Sequence, residues 1–180
     1  MRGGTFALGC ALIMAQSQAQ SQGHPPAGLS ALPPGPSQLL AKIEAVGPER
    51  AIAQWSKDGT FDRVLEGMET GRPEWLRLGV SLHGGTDAGY SEMLTLAAGV
   101  ALEREPKAAL SIWGVHDGVA GMCGYPDLSD PKTNTPQKAA AYIDARVRAV
   151  AGIRSALAKE CLSVLKRTRK EIVSNNGPFR

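Results

Sequence analysis

Apolar residues recur at three- and four-residue steps from Ser37 onward, and glycine or proline interrupts this pattern at short intervals. The spacing places apolar side chains along one face of an amphipathic helix. Pro48, Pro73 and Pro106 each open a periodic segment, which is typical of the first helical turn. Alternating runs of β-branched and aromatic residues are absent. The pattern therefore predicts an all-α fold of antiparallel helix hairpins, arranged as an irregular bundle or a short αα-solenoid-like stack.

The strongest helical periodicity lies near the C-terminal end of the chain. Apolar positions there keep one phase across Gly152, so the pattern leaves open whether residues 136–174 form one helix or two. Arg146 is expected to lie off this apolar stripe, together with most of the neighbouring charged residues. The stripe consists of Ile143, Val147, Val150, Leu157, Cys161, Val164 and Leu165.

Glycine and proline break the helical rhythm between Gly114 and Thr135. The preceding helix is expected to end at Ile112 or Trp113, and the segment after it to form a loop of about twenty residues. Loops of this length inside a compact domain are usually functional or fixed by a tertiary contact.

The N-terminal residues have the features of a secretory signal peptide. Arg2 is the only charge before Lys42, and an apolar run follows it from Phe6 to Ala15. The run is too short to cross a hydrocarbon core of about 30 Å, and the small residues after it suit a signal peptidase. The alternative is a short N-terminal helix that packs into the core.

A signal peptide over residues 1–19 divides the rest of the chain into three parts. We predict a Pro/Gln-rich disordered leader over 20–36, a single helical domain over 37–174 and a flexible tail over 175–180. No second segment approaches transmembrane length, so the mature chain is expected to have no integral membrane segment. The predicted location is periplasmic or secreted.

Charge excludes some classes of partner. Loss of Arg2 with the signal peptide lowers the formal net charge from +3 to +2. A nearly neutral chain gives no electrostatic case for binding nucleic acid or an anionic membrane. The expected partner is an envelope or periplasmic protein, no cofactor is predicted, and the pattern does not define the oligomeric state.

Two cysteines, Cys123 and Cys161, remain once Cys10 is removed with the signal peptide. Cysteines in an oxidising compartment usually pair, so we predict a disulfide that ties the glycine-rich loop to the last helix. Two buried thiols or a metal-binding pair are the alternatives.

The segment from His83 to Asp87 is the first candidate for chemistry. Its glycine pair, Gly84-Gly85, precedes a helix predicted to run to about Arg104, and amides at such a helix start can face an anion. His83 and Asp87 could then act as acid or base. In the structural alternative the glycines stop one helix, and Thr86 or Asp87 caps the next.

The second candidate is Trp113 with the adjacent pair His116-Asp117, which His83 could join. No metal motif with a third spaced ligand and no Gly-x-Ser-x-Gly elbow is present, so we assign no catalytic and no metal-binding residues. The candidate contacts for a ligand or partner are His83, Thr86, Asp87, Trp113, His116 and Asp117.

A further pattern consists of Trp75-Leu76, Gly85-Thr86-Asp87-Ala88-Gly89, Glu92, Leu94, Ala101-Leu102, Pro106 and Cys123. It resembles a group of small exported all-helical proteins of Gram-negative bacteria, and the resemblance covers roughly residues 55–161. Gly152 departs from the group, where an ordinary helix junction is expected. The resemblance implies a periplasmic setting and a helical fold, and it implies no activity.

Together these features predict a non-enzymatic interaction protein, such as a binding, inhibitor or immunity-like factor. It would present a helical face and the disulfide-tied loop to its partner. The alternative is a hydrolase or metal-binding protein that uses His83, Asp87, His116 and Asp117. Convergence of both histidines with an aspartate in one concave site would favour that alternative.

Overall fold

Eight helices account for most of residues 33–174, the part of the chain that this computed structural model describes. No strand occurs within that range, so the all-α prediction is confirmed. The predicted signal peptide and tail, and residues 20–32 of the predicted leader, lie outside the described residues. The helices are α1 (Pro36–Val46), α2 (Pro48–Asp58), α3 (Thr60–Glu69), α4 (Pro73–His83), α5 (Ala88–Arg104), α6 (Pro106–Asp117), α7 (Pro136–Val150) and α8 (Ala156–Val173).

Proline and polar caps set most of the helix starts. Pro48, Pro73 and Pro106 each occupy the beginning of a helix, as predicted. The first helix does not begin at Ser37, where the periodic pattern starts: Gly35 is its N-cap and Pro36 is its first residue. Proline at the first helical position has a suitable φ and lacks an N–H that would otherwise be unpaired, so the helix begins there.

Helix α6 runs through Gly114 to Asp117, one turn beyond the predicted end at Ile112 or Trp113. The glycine does not stop the helix because it serves close packing. Gly114 is buried, and a Cβ at this position would lie 3.0 Å from Cε of Met122. The loop therefore begins at Gly118, whose φ of 77° suits glycine.

The C-terminal apolar stripe belongs to two helices. Helices α7 and α8 are separated by a short turn at residues 151–155, and they form the most extensive helix pair in the described part of the chain. Ser155 caps α8 by accepting a hydrogen bond from the amide of Ala158. The Arg169 guanidinium on α8 donates to the Asp144 carboxylate on α7 at 3.0 Å.

Helices α3, α4, α5 and α6 pack against one another and enclose much of the core. Cys123 and Cys161 are both fully buried and form a disulfide, with Cα atoms 5.5 Å apart. The bridge ties the loop after α6 to α8, as predicted. Among residues 33–174, no helix combines the length and apolar character needed to cross a membrane. The largest fully buried side chains are Trp113, Phe61, Met68, Leu76, Leu78, Leu82, Leu94, Leu102, Met122, Ile143, Leu165 and Ile172.

Candidate functional site

Helices α4, α5 and α6 bring four of the six predicted site residues together. His83 is the last residue of α4, and Trp113, His116 and Asp117 lie in the last part of α6. Their meeting depends on the additional turn of α6, which carries His116 and Asp117 toward His83. With Ser91 and Thr95 of α5, these residues form what we call the histidine cluster.

His83 is the central residue of the histidine cluster. Its Nε2 atom lies 2.8 Å from the Ser91 hydroxyl and 3.7 Å from the Asp117 carboxylate. Its other ring nitrogen, Nδ1, lies 3.2 Å from Nε2 of His116. The Thr95 hydroxyl donates to the second Asp117 oxygen at 3.3 Å. Both ring nitrogens of His83 thus face a polar partner.

Aromatic packing holds the two imidazoles in place. Trp113 is fully buried, and its ring meets that of His83 edge to face, with centroids 5.2 Å apart. The His116 ring lies on the solvent side of this contact, because His116 is exposed whereas only 20% of the His83 side chain is exposed. The cluster is therefore buried at Trp113 and open to solvent at His116.

The other two predicted site residues have structural contacts in the turn between α4 and α5. The Thr86 hydroxyl donates to the carbonyl of His83 at 2.6 Å. Asp87 is the N-cap of α5 and accepts a hydrogen bond from the Tyr90 amide at 3.0 Å. In the described part of the chain, Asp87 makes no hydrogen bond to either histidine. The structure thus places Asp117, and not Asp87, beside the histidines.

Two hydrogen-bonding contacts of Ser91 bear on whether it could act as a nucleophile. Ser91 and His83 are within hydrogen-bonding distance, which a nucleophile and its base require. However, the Ser91 amide donates to the carbonyl of Asp87 within α5, so it is not free to stabilise an oxyanion. Within residues 33–174 there is also no group of three or more His, Cys, Asp or Glu side chains that could hold a metal ion.

A second concave surface, which we call the acidic groove, lies between α3, α5 and the loop after α6. Its volume is about 190 Å³. Its apolar lining residues come from α3 and α5, and Glu69, Asp127 and Asp130 are its acidic lining residues. The lining residues are Leu65, Glu69, Met93, Leu96, Ala97, Val100, Asp127, Asp130, Thr133 and Tyr142.

Hydrogen bonds fix the loop side of the acidic groove. The amide and hydroxyl of Ser129 donate to one Asp127 carboxylate oxygen at 2.8 and 2.7 Å. These bonds, led by that of the hydroxyl, lower the pKa of Asp127 below its usual value. The buried Thr133 hydroxyl donates to the Asp127 carbonyl. The carboxylate therefore belongs to an ordered turn.

Arg146 of α7 is buried, and the prediction that it lies off the apolar stripe is wrong. It comes three residues after Ile143 and four before Val150, so helical geometry places all three side chains on one face. The spacing in the sequence therefore indicated a buried position, but a charged residue is normally expected at the surface. Burial lowers the pKa of the guanidinium below its usual range.

Polar contacts compensate for much of the burial of Arg146. Its guanidinium donates to the carbonyl of Met122 at 3.2 Å and to the hydroxyl of Tyr142, and it lies 4.0 Å from the centroid of the Tyr142 ring. The Glu103 carboxylate is 3.8 Å from its Nε atom. Burial raises the pKa of the Tyr142 phenol, so the phenol, which lines the acidic groove, is uncharged at neutral pH.

Sequence reasoning missed several residues of both surfaces. Ser91 and Thr95 are four residues apart on α5, a spacing that puts them on one face, but nothing marks the helix they contact. Asp127-Leu128-Ser129 is typical of an Asx turn, which indicated local structure but no groove. Glu69 and Met93 have no distinguishing local signal.

No protein-family model, curated protein or solved structure was found that matches this chain. The histidine cluster and the acidic groove are therefore the two features of the molecule that bear on its function.

Proposed function

We propose that the chain is an exported, non-enzymatic interaction protein of the bacterial envelope that receives a basic side chain of a partner protein in the acidic groove. The observation that carries the proposal is a lining that combines apolar residues with three acidic residues, two of them on the loop that the Cys123–Cys161 disulfide anchors. Such a preformed surface needs little ordering on binding, which favours affinity.

The size of the groove favours a side chain over a whole small molecule. Its volume of about 190 Å³ lies below the roughly 300–1,000 Å³ of pockets that enclose drug-sized ligands. One long side chain of a partner, with the neighbouring main chain lying across the rim, suits this volume better.

The chemistry of the groove favours lysine or arginine as that side chain. Both residues bury an alkyl stem on apolar surface and keep a charged head near polar groups. Met93, which is 40% exposed, supplies an adaptable apolar contact for the stem. Glu69, Asp127 and Asp130 supply the opposite charge for the head, so the expected partner segment is basic.

Export is supported by two independent features. The N-terminal pattern of Arg2, an apolar run and small residues is typical of a signal peptide. A disulfide between Cys123 and Cys161 is expected to persist in an oxidising compartment such as the periplasm. The resemblance of the segment Gly85 to Gly89 to exported helical proteins agrees with this location.

A pair of matched peptides tests the groove directly. The purified chain, with labelled methionine methyl groups, would be titrated with acetyl-Leu-Arg-Leu-amide and with acetyl-Leu-Gln-Leu-amide. We expect the arginine peptide to shift the Met93 methyl signal, and the double variant Asp127→Asn/Asp130→Asn to lower its affinity at least about fivefold. Binding should weaken as salt increases. Equal binding of both peptides would contradict the proposal.

Photocrosslinking in envelope extract then identifies the partner. A photoreactive residue replaces Met93 in the groove and, as a control, Val115, which is 69% exposed on α6 and does not line the groove. We expect Met93 alone to give a specific product whose crosslinked segment contains lysine or arginine. Products that are the same from both positions, or an acidic crosslinked segment, would exclude this role for the groove.

A further inference from the structure

The imidazoles of His83 and His116 meet through their ring nitrogens. Nδ1 of His83 and Nε2 of His116 are 3.2 Å apart, and the ring planes are inclined by 81°. A neutral imidazole carries one N–H and one lone pair. Two such nitrogens at this distance either share one proton or direct two lone pairs at one cation.

The surroundings of His83 favour a lone pair on Nδ1. On the opposite side of the ring, Nε2 lies 2.8 Å from the Ser91 hydroxyl and 3.7 Å from the Asp117 carboxylate. A carboxylate only accepts hydrogen bonds, so its proximity favours an N–H at Nε2 and leaves Nδ1 unprotonated toward His116. Metal-binding histidines have this same arrangement, in which the nitrogen that does not bind the metal donates to an oxygen.

The distance between the two nitrogens fits a shared metal ion. Bonds from imidazole nitrogen to a metal are roughly 2.0–2.1 Å long, so two such ligands at angles between 90° and 110° lie about 2.8–3.4 Å apart. The observed 3.2 Å falls within this range.

We infer that Nδ1 of His83 and Nε2 of His116 form an open two-histidine site for a late first-row divalent metal ion, with Cu²⁺ bound most tightly. Neutral imidazole suits this class of ion, and affinities of such sites rise toward Cu²⁺. Water or an external ligand completes the coordination, because His116 is exposed and residues 33–174 contain no group of three or more protein ligands. The site is independent of the acidic groove: Ser91 and Thr95 lie on one face of α5, whereas Met93, Ala97 and Val100 lie on another.

Cu²⁺ titration of the chelator-treated full chain tests the inference, with calorimetry for affinity and electron paramagnetic resonance for the ligands. We expect nitrogen hyperfine structure from two imidazoles, and at least about a tenfold loss of affinity in His83→Ala and in His116→Ala. His24→Ala is the matched control, because His24 is the one histidine of the chain that does not belong to the proposed site. This control should bind Cu²⁺ as tightly as the parent.

A second variant tests how His83 is positioned. Asp117→Asn should weaken Cu²⁺ binding about tenfold while the metal-free protein unfolds at an unchanged temperature, because Asp117 acts on the metal only through the ring. His116 is exposed, so its alanine variant should also fold normally. Parent-like Cu²⁺ affinity in His116→Ala, or a spectrum without two nitrogen ligands, would overturn the inference and leave a shared proton as the function of the contact.

Discussion

The guanidinium of Arg146 donates a hydrogen bond to the main-chain carbonyl of Met122 at 3.2 Å, directly before the disulfide residue Cys123. The α7–α8 hairpin therefore holds the same loop twice, through a polar contact from α7 and through the covalent link from Cys161 on α8. Because this loop forms one wall of the acidic groove, the hairpin acts as the support of the proposed binding surface.

Replacement of Arg146 by methionine is expected to lower the free energy of unfolding by about 2–3 kcal/mol. The change leaves the buried carbonyl of Met122 and the hydroxyl of Tyr142 without their donor, at roughly 1–3 kcal/mol for a buried unpaired group. Removal of a buried cation offsets part of this loss. Urea denaturation followed by circular dichroism measures the difference.

Arg146→Lys is the informative control. Lysine keeps the charge but cannot reach two acceptors with a planar fork or stack on Tyr142 in the same way, so we expect it to recover little stability. A lysine variant as stable as the parent would show that charge alone, and not the geometry of the guanidinium, supports the loop.

Replacement of Gly99 by alanine should destabilise the protein by about 1–3 kcal/mol, because α5 lies close to the hydrogen bond between Arg146 and Met122 at this residue. A Cβ there would lie 2.9 Å from the Met122 carbonyl oxygen and 3.0 Å from Arg146 Nη2. Gly152 is the matched control, since a Cβ on it would meet nothing within 4 Å. Thermal unfolding should show Gly152→Ala to be neutral or stabilising by up to about 1 kcal/mol. Equal losses at both positions would contradict this explanation.

Helix α6 shows which structural features could be predicted from the sequence and which could not. Local pattern and proline positions sufficed for the all-α class and for the start of α6 at Pro106. From the sequence, Gly114 was expected to stop the helix. Its packing against Met122 could not be predicted, because it depends on a contact outside the helix. The same limit applies to the histidine cluster: residue types suggested His83 and His116, but only tertiary packing shows that Asp117 lies beside them while Asp87 caps α5.

Loss of the disulfide should affect the groove more than the helices. Cys123→Ser/Cys161→Ser is expected to lower the free energy of unfolding by about 4 kcal/mol, the chain-entropy value for a closure of 38 positions. Where the variant is still folded, helical circular dichroism should be retained, while affinity for the arginine peptide falls because the loop wall loses its covalent anchor. Chemical reduction of the parent provides the control and should reproduce both effects.

Ser129→Ala should raise the pKa of Asp127 toward its usual value of 3.8, because the Ser129 hydroxyl makes the leading contribution to the lowered pKa. A carboxyl group whose pKa is lower in the folded state than in the unfolded state stabilises the folded protein. This contribution is fully present at pH values above the pKa of the unfolded state. This stability is lost as the pH falls through the folded value, so the effect is confined to pH below about 4. Carbon NMR of the Asp127 carboxyl during acid titration measures the shift directly.

In the same pH range the parent should bind the arginine peptide down to a lower pH than the variant does, since Asp127 of the parent keeps its charge to a lower pH. An unchanged Asp127 pKa in Ser129→Ala would show that the turn amides alone hold this carboxylate in its charged form.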